Sequence, residues 1–128
     1  MTITGLVLTG LAAVLHVFIF YLESVAWTSP RARATFGTTE AEAEATKSLA
    51  FNQGFYNLFL ALAVFIGIIV FAAGSTQVGL TLVFVGAGSM LAAALVLALS
   101  SPELIASALK QGTLPLLGVA CLLVGVLI

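Results

Sequence analysis

The first residues that could take part in chemistry form a polar stripe near the start of the chain. Four polar side chains recur there every seven residues: Thr2, Thr9, His16 and Glu23. Seven helical steps of about 100° come within about 20° of two full turns, so a helix would place all four on one side. A carboxyl and an imidazole on one stripe could exchange protons with a substrate or hold the polar part of a ligand.

A second polar group follows in the next apolar stretch. Its members cover about 140° of a helix circumference: Asn52, Gln53, Tyr56 and Asn57. If the two helices are antiparallel neighbours, the Glu23 carboxyl should meet one of the first three, and the deeper His16 should reach Asn57. Amide and phenol groups are suitable partners for a buried carboxyl.

Gln111, near the start of the last apolar stretch, should lie at the level of Glu23 and close this cluster. A glutamate in a membrane is costly unless it is paired, and ionisable residues there often mark function. The predicted ligand-binding set is His16, Glu23, Asn52, Gln53, Tyr56, Asn57 and Gln111. The competing interpretation is that these groups only hold the helices together.

The amino-acid composition indicates the environment in which this cluster lies. The chain has 128 residues, of which 62% are hydrophobic and 7% are charged, and its net charge is −1. Its mean hydropathy is +1.25, whereas a soluble domain carries about 25% charged residues. This composition excludes a soluble enzyme, a disordered protein and a nucleic-acid-binding protein. The partner it requires is the lipid bilayer.

The hydropathy pattern predicts an all-α bundle of four transmembrane helices, forming one integral membrane domain over residues 1–128. The spans cover about residues 3–27, 48–73, 78–99 and 110–128, near the roughly 20 residues that cross a bilayer. Thr39-Glu40-Ala41-Glu42 is a capping box, which predicts a helix over residues 40–47 that could run into the second span. Ser101-Pro102-Glu103 predicts a short interfacial helix over residues 102–109, before the fourth span.

The basic residues predict the orientation. All four lie between spans one and two or between spans three and four: Arg31, Arg33, Lys47 and Lys110. Because basic connections stay in the cytoplasm, both chain termini are expected outside. A cleaved signal peptide is not expected, since no basic segment precedes the first span.

Metals, cofactors and disulfides are not expected. Cys121 is the single cysteine and His16 the single histidine, so neither has a second residue of its own type as a partner. Small residues seven apart, Gly79 with Gly86 and Gly118 with Gly125, predict close helix packing within one chain or between chains. A homo-oligomer is therefore expected.

Several of these residues resemble a known family. The resemblance rests on His16, Tyr21-x-Glu23, Trp27, Pro30, Phe36 and the string Asn52-Gln53-Gly54-x-Tyr56-Asn57-x-Phe59-Leu60-Ala61. The chain is similar along about its whole length to small bacterial membrane proteins grouped as a domain of unknown function. The resemblance implies a four-helix protein of the bacterial cytoplasmic (inner) membrane and indicates the same polar positions. It implies no reaction or ligand.

Four classes of function remain open. The leading hypothesis is a binding or carrier module that holds the polar end of a small amphiphilic, lipid-like molecule. A proton-coupled transporter would use Glu23, and an isomerase-like membrane enzyme would use Glu23 and His16 as acid and base. An accessory subunit of a larger membrane complex would present a lipid-facing stripe of small residues. No catalytic residue is assigned, because no catalytic motif is present.

Overall fold

Helices form nearly the whole computed structural model, which describes all residues from Met1 to Ile128. Helix α1 spans Thr2–Phe20 and continues through a π-helical turn, Tyr21–Val25. A short helix α2 (Pro30–Phe36) precedes the long α3 (Glu40–Ala72), α4 (Thr76–Ser100) and α5 (Ile105–Leu127). Four helices are long and apolar enough to cross a membrane. The predicted all-α four-helix fold is confirmed.

The four long helices form a bundle in which each helix packs against two neighbours. Helix α1 packs against α3 and α5, and α4 packs against the same two helices from the opposite corner. Neighbouring helices run antiparallel, as the approach of Thr2 to Gly125 and of Gly5 to Leu122 shows for α1 and α5. The core contains small side chains, among them Ala12, Ala61 and Ala87. Close backbone approach of this kind drives helix association in lipid.

Glycines make the closest of these contacts. A Cβ atom added to Gly79 would lie 2.7 Å from the carbonyl oxygen of Gly67, and one on Gly118 would lie 2.6 Å from a carbon of Thr9. In contrast, a Cβ atom on Gly88 would have no neighbour within 4 Å. The glycine pairs noted in the sequence therefore meet other helices of the same chain. The oligomeric state stays a prediction.

Helix α3 begins well before the apolar part of its sequence. Thr39 caps it: its side chain accepts a hydrogen bond from the Glu42 backbone at 3.2 Å, and the Glu42 carboxylate accepts one from the Thr39 backbone at 2.8 Å. The helix then continues without interruption through its 33 residues, a length of about 50 Å at about 1.5 Å per residue. Since a hydrocarbon core is about 30 Å thick, a span ending at Ala72 enters it near Asn52.

The region before the last span differs from the expectation. Residues 102–109 do not form a separate interfacial helix. Pro102–Leu104 is a single 3₁₀ turn, and α5 then runs unbroken from Ile105. Ser101 makes no side-chain capping bond. Good helix formers such as Ala106 and Ala108 join the turn to the span, and nothing between Ile105 and Lys110 interrupts the helix.

The connection between α1 and α3 is folded rather than open. It contains α2, which was not predicted and which is capped by the Ser29 hydroxyl. The Trp27 indole donates a hydrogen bond to Thr46 at 3.1 Å, and its ring lies 5.0 Å from that of Phe36. The Arg31 guanidinium lies over the Phe18 ring at 5.1 Å. These contacts hold α2 against the end of α1 that carries Glu23.

Candidate functional site

Glu23 lies in the π-helical turn that ends the first span. The backbone N–H of Ala26 donates to the Tyr21 carbonyl, five residues earlier, at 3.0 Å. Such turns are rare and often occur at functional positions. The Glu23 side chain points into the protein and is only 9% exposed. Its carboxylate is therefore largely removed from lipid and needs an internal partner.

That partner is Asn57 of α3. The Asn57 amide donates to Glu23 Oε2 at 2.7 Å, and also to the backbone carbonyl of Gln53 at 3.3 Å. The Ser24 hydroxyl donates to the Phe51 carbonyl at 2.7 Å, within the same contact between α1 and α3. Two hydrogen bonds thus tie the first span to the second at this level.

Gly54 allows the two helices to approach this closely. A Cβ atom on Gly54 would collide with the Ser24 hydroxyl oxygen and would lie 3.1 Å from the Glu23 Cβ atom. The space next to Glu23 is therefore occupied by Ser24, Asn57 and the backbone of α3. A ligand beside the Glu23 carboxyl would have to displace part of this contact.

His16 lies deeper and does not join the pair. It is 1% exposed, and its Nδ1 atom lies 2.8 Å from the Ala12 carbonyl oxygen, to which the ring N–H donates. The expectation that His16 reaches Asn57 was wrong, because the imidazole bonds to its own helix and Asn57 bonds to Glu23. Thr9, on the same stripe, also bonds to carbonyls of its own helix.

Asn52, Gln53 and Tyr56 are exposed on the outside of the bundle. The expectation that one of them meets Glu23 was also wrong. The buried residues of α3 nearest the pair are Ala50, Gly54, Ala61 and Val64. With Asn52 placed at 0°, these lie between about 120° and 200°. Asn57, at about 140°, falls on that face, whereas Asn52, Gln53 and Tyr56 do not. Gly67, farther along α3, is also buried, but it faces α4.

Gln111 also stays apart from the pair. Its side chain is half-buried near the start of α5 and makes no hydrogen bond with Glu23. The predicted set therefore separates into an inner pair, a buried histidine, an isolated glutamine and an outer group of three on α3. No group of three His, Cys, Asp or Glu side chains is arranged to hold a metal ion.

A shallow hollow lies on the outer surface of α3 next to this outer group. It is lined by Glu44, Ala45, Lys47, Ser48, Phe51 and Asn52. Only Asn52 was among the predicted site residues. The available sequence signal was the four-residue spacing of Glu44, Ser48 and Asn52, which places them on one side of a helix. This spacing does not by itself indicate a site, because glutamates on one side of a helix are equally typical of a solvated face.

Comparison with known proteins identifies the family. The family model described as "Protein of unknown function (DUF1304)" matches residues 10–123. The chain belongs to the DUF1304 family. The match includes the Glu23–Asn57 pair, the hollow on α3 and Gln111, so every predicted site residue of this DUF1304 chain lies inside the family region. No curated protein and no solved structure is detectably similar to it.

Proposed function

We propose that this protein is a membrane-embedded binding module for a small amphiphile. In this proposal the polar end of the amphiphile contacts the outer face of α3, at the cytoplasmic boundary of the bilayer. Its apolar part lies along the same helix, among the surrounding lipid tails. The Glu23–Asn57 hydrogen bond, on the inner side of α3, holds the helix against α1 and so fixes the orientation of this outer face.

The observation that carries the proposal is the exposure of Asn52, Gln53 and Tyr56 on α3. Tyr56 is 64% exposed, and none of the three side chains has a hydrogen-bonding partner within the chain. A polar group that faces hydrocarbon without a partner is unfavourable. Asn52 and Gln53 lie at the level where α3 enters the hydrocarbon, and Tyr56 lies one turn deeper. Three unpaired polar groups at this depth favour a polar partner from outside the chain.

The test is the retention of amphiphiles by purified protein. Asn52→Leu combined with Tyr56→Phe should lower the amount of bound amphiphile about three- to tenfold, because each lost hydrogen bond in a membrane is worth about 0.6 kcal/mol on average and up to about 1.7. The measurement is mass spectrometry of lipids extracted from protein purified in mild detergent.

Gln77→Leu is the matched control for this experiment, because Gln77 is also an exposed amide but lies at the other end of the bundle. This variant should retain as much amphiphile as the unaltered protein. Equal retention by all three proteins would contradict the proposal.

We also infer that α2 lies on the cytoplasmic side, because α2 and the start of α3 carry three of the four basic residues. Ala34 and Ser75 are both exposed and lie in connections at opposite ends of the bundle. In a Cys121→Ser background, Ala34→Cys should react with an impermeant maleimide only after cells are opened. Ser75→Cys should react in intact cells, and the reverse labelling would overturn this orientation.

A further inference from the structure

Along the outer side of α3, the chemical groups follow a definite order from the cytoplasm toward the membrane. The Glu44 carboxylate comes first, followed one turn later by the Lys47 ammonium and the Ser48 hydroxyl. The Asn52 amide follows after another turn. All four line the same hollow, and the distance from Glu44 to Asn52 is about 12 Å at about 1.5 Å per residue.

The charged groups of this hollow are not used within the protein. Glu44 and Lys47 are three residues apart, but their side chains form no ion pair with each other or with any other residue. Both side chains are exposed, as is Ser48. One surface thus presents a free anion, a free cation and two neutral hydrogen-bonding groups, beginning at Asn52 near the expected hydrocarbon boundary and extending about 12 Å outward to Glu44.

An aromatic ladder continues from the hollow into the membrane. Phe51, Phe55 and Phe59 follow one another at four-residue spacing, with ring centroids 5.0 Å and 6.2 Å apart. Phe20 of α1 packs edge-on against Phe55 at 5.1 Å, which fixes the middle ring. Phe51 is 50% and Phe59 is 56% exposed. This ladder offers an apolar surface next to the polar hollow.

We propose that the amphiphile is a phospholipid with a primary-amine headgroup of the phosphoethanolamine type. This assignment rests on the proposed function and adds the ligand class. The lipid ammonium pairs with Glu44, its phosphate with Lys47 and Ser48, and an ester carbonyl with Asn52. The acyl chains lie along the aromatic ladder.

The headgroup chemistry distinguishes this ligand from other lipids. A two-carbon link separates ammonium from phosphate, which suits groups one helical turn, or about 5.4 Å, apart. An anionic glycerol headgroup has no cation to place beside Glu44. A choline headgroup has a cation but no N–H to donate, so it forms no hydrogen bond with the carboxylate.

The test compares lipids that differ only in headgroup. The whole protein is reconstituted in nanodiscs containing equal amounts of ethanolamine, choline and glycerol phospholipids with the same acyl chains. Lipids retained after transfer to mild detergent are counted by native mass spectrometry. Retention of the ethanolamine lipid should exceed that of each other lipid about two- to fivefold, which is the gain in affinity that one exposed ion pair provides.

Glu44→Gln should remove this preference without lowering total lipid retention more than about twofold, because the hydrogen bonds from Ser48 and Asn52 remain. Glu103→Gln is the matched control, since it changes an exposed acid at the same end of the bundle, and it should keep the preference. Free phosphoethanolamine at the same concentration should not displace the lipid, because it lacks acyl chains.

Each result has a defined meaning. Equal retention of the three lipids by the unaltered protein, or an ethanolamine preference that survives Glu44→Gln, overturns the assignment of the lipid class. Displacement by free phosphoethanolamine would instead identify a site for a soluble phosphate ester. If retention of every lipid is also insensitive to Asn52→Leu with Tyr56→Phe, the proposed function itself fails.

Discussion

Gly54→Ala is expected to destabilise the bundle more than any other added methyl group at the contact between α1 and α3. The new Cβ atom would overlap the Ser24 hydroxyl oxygen and lie 3.0 Å from the Ser24 backbone nitrogen. The backbone atom cannot rotate away, so the helices must separate. Overpacking of this kind costs about 1–3 kcal/mol. Thermal unfolding in detergent, followed by circular dichroism, should show a lower midpoint.

The matched control is Gly88→Ala in α4. A Cβ atom there has no neighbour within 4 Å, and alanine is the better helix former by roughly 0.5–1 kcal/mol in water. This variant should unfold at the same temperature as the unaltered protein or slightly above it. If the two alanine variants unfold at the same temperature, the close approach at Gly54 is not present in the membrane protein.

The second large effect is expected for the Glu23–Asn57 hydrogen bond. Asn57→Ala removes the donor and leaves the buried carboxyl without it, which should cost about 1–3 kcal/mol. Glu23→Gln keeps an oxygen acceptor in place and should cost less. Unfolding of Glu23→Ala, Asn57→Ala and the double variant then measures the coupling between the two residues, with an expected value of about 0.6 kcal/mol and an upper value of about 1.7.

The same variants test whether Glu23 takes part in binding. Because its carboxylate faces α3 from inside the bundle, Glu23→Gln should leave lipid retention within about twofold of the unaltered protein, within the ordinary scatter of a surface substitution. A large loss of lipid with unchanged stability would mean that the carboxyl contacts the ligand. Strictly additive unfolding energies would show that the hydrogen bond contributes nothing to the fold.

The four-helix fold could be predicted because lipid imposes a simple requirement on sequence. A span needs about 20 consecutive apolar residues, and few polar side chains interrupt the runs that became α1, α3, α4 and α5. The start of α3 could also be predicted from the sequence, because Thr39 and Glu42 form a capping box whose geometry depends on only four adjacent residues. The similar local signal at Ser101-Pro102 was misleading, because Ser101 makes no capping bond and no separate helix follows it.

The contacts among the candidate site residues were predicted only in part, because helix orientation depends on packing. Asn52 and Asn57 are both asparagines on one helix, yet only Asn57 shares a face with Gly54 and Ala61. Small residues identify the packed face in lipid, whereas the polarity of an amide does not distinguish a buried partner from a surface group. The π-helical turn at Tyr21–Val25 has no sequence signal that we can identify. Helix α2 does have one, because Ser29-Pro30 is the same combination of N-cap serine and first-turn proline as Ser101-Pro102, and it was overlooked.

The unbroken course of α3 limits how the protein can respond to a change in bilayer thickness. Glu44 and Phe59 lie on one continuous helix, so their vertical separation is set at about 22 Å by a rise of about 1.5 Å per residue. Thinning or thickening of the membrane cannot change this spacing. It can only shift or tilt the helix, so that the polar and the aromatic side chains move by the same distance relative to the surrounding leaflet.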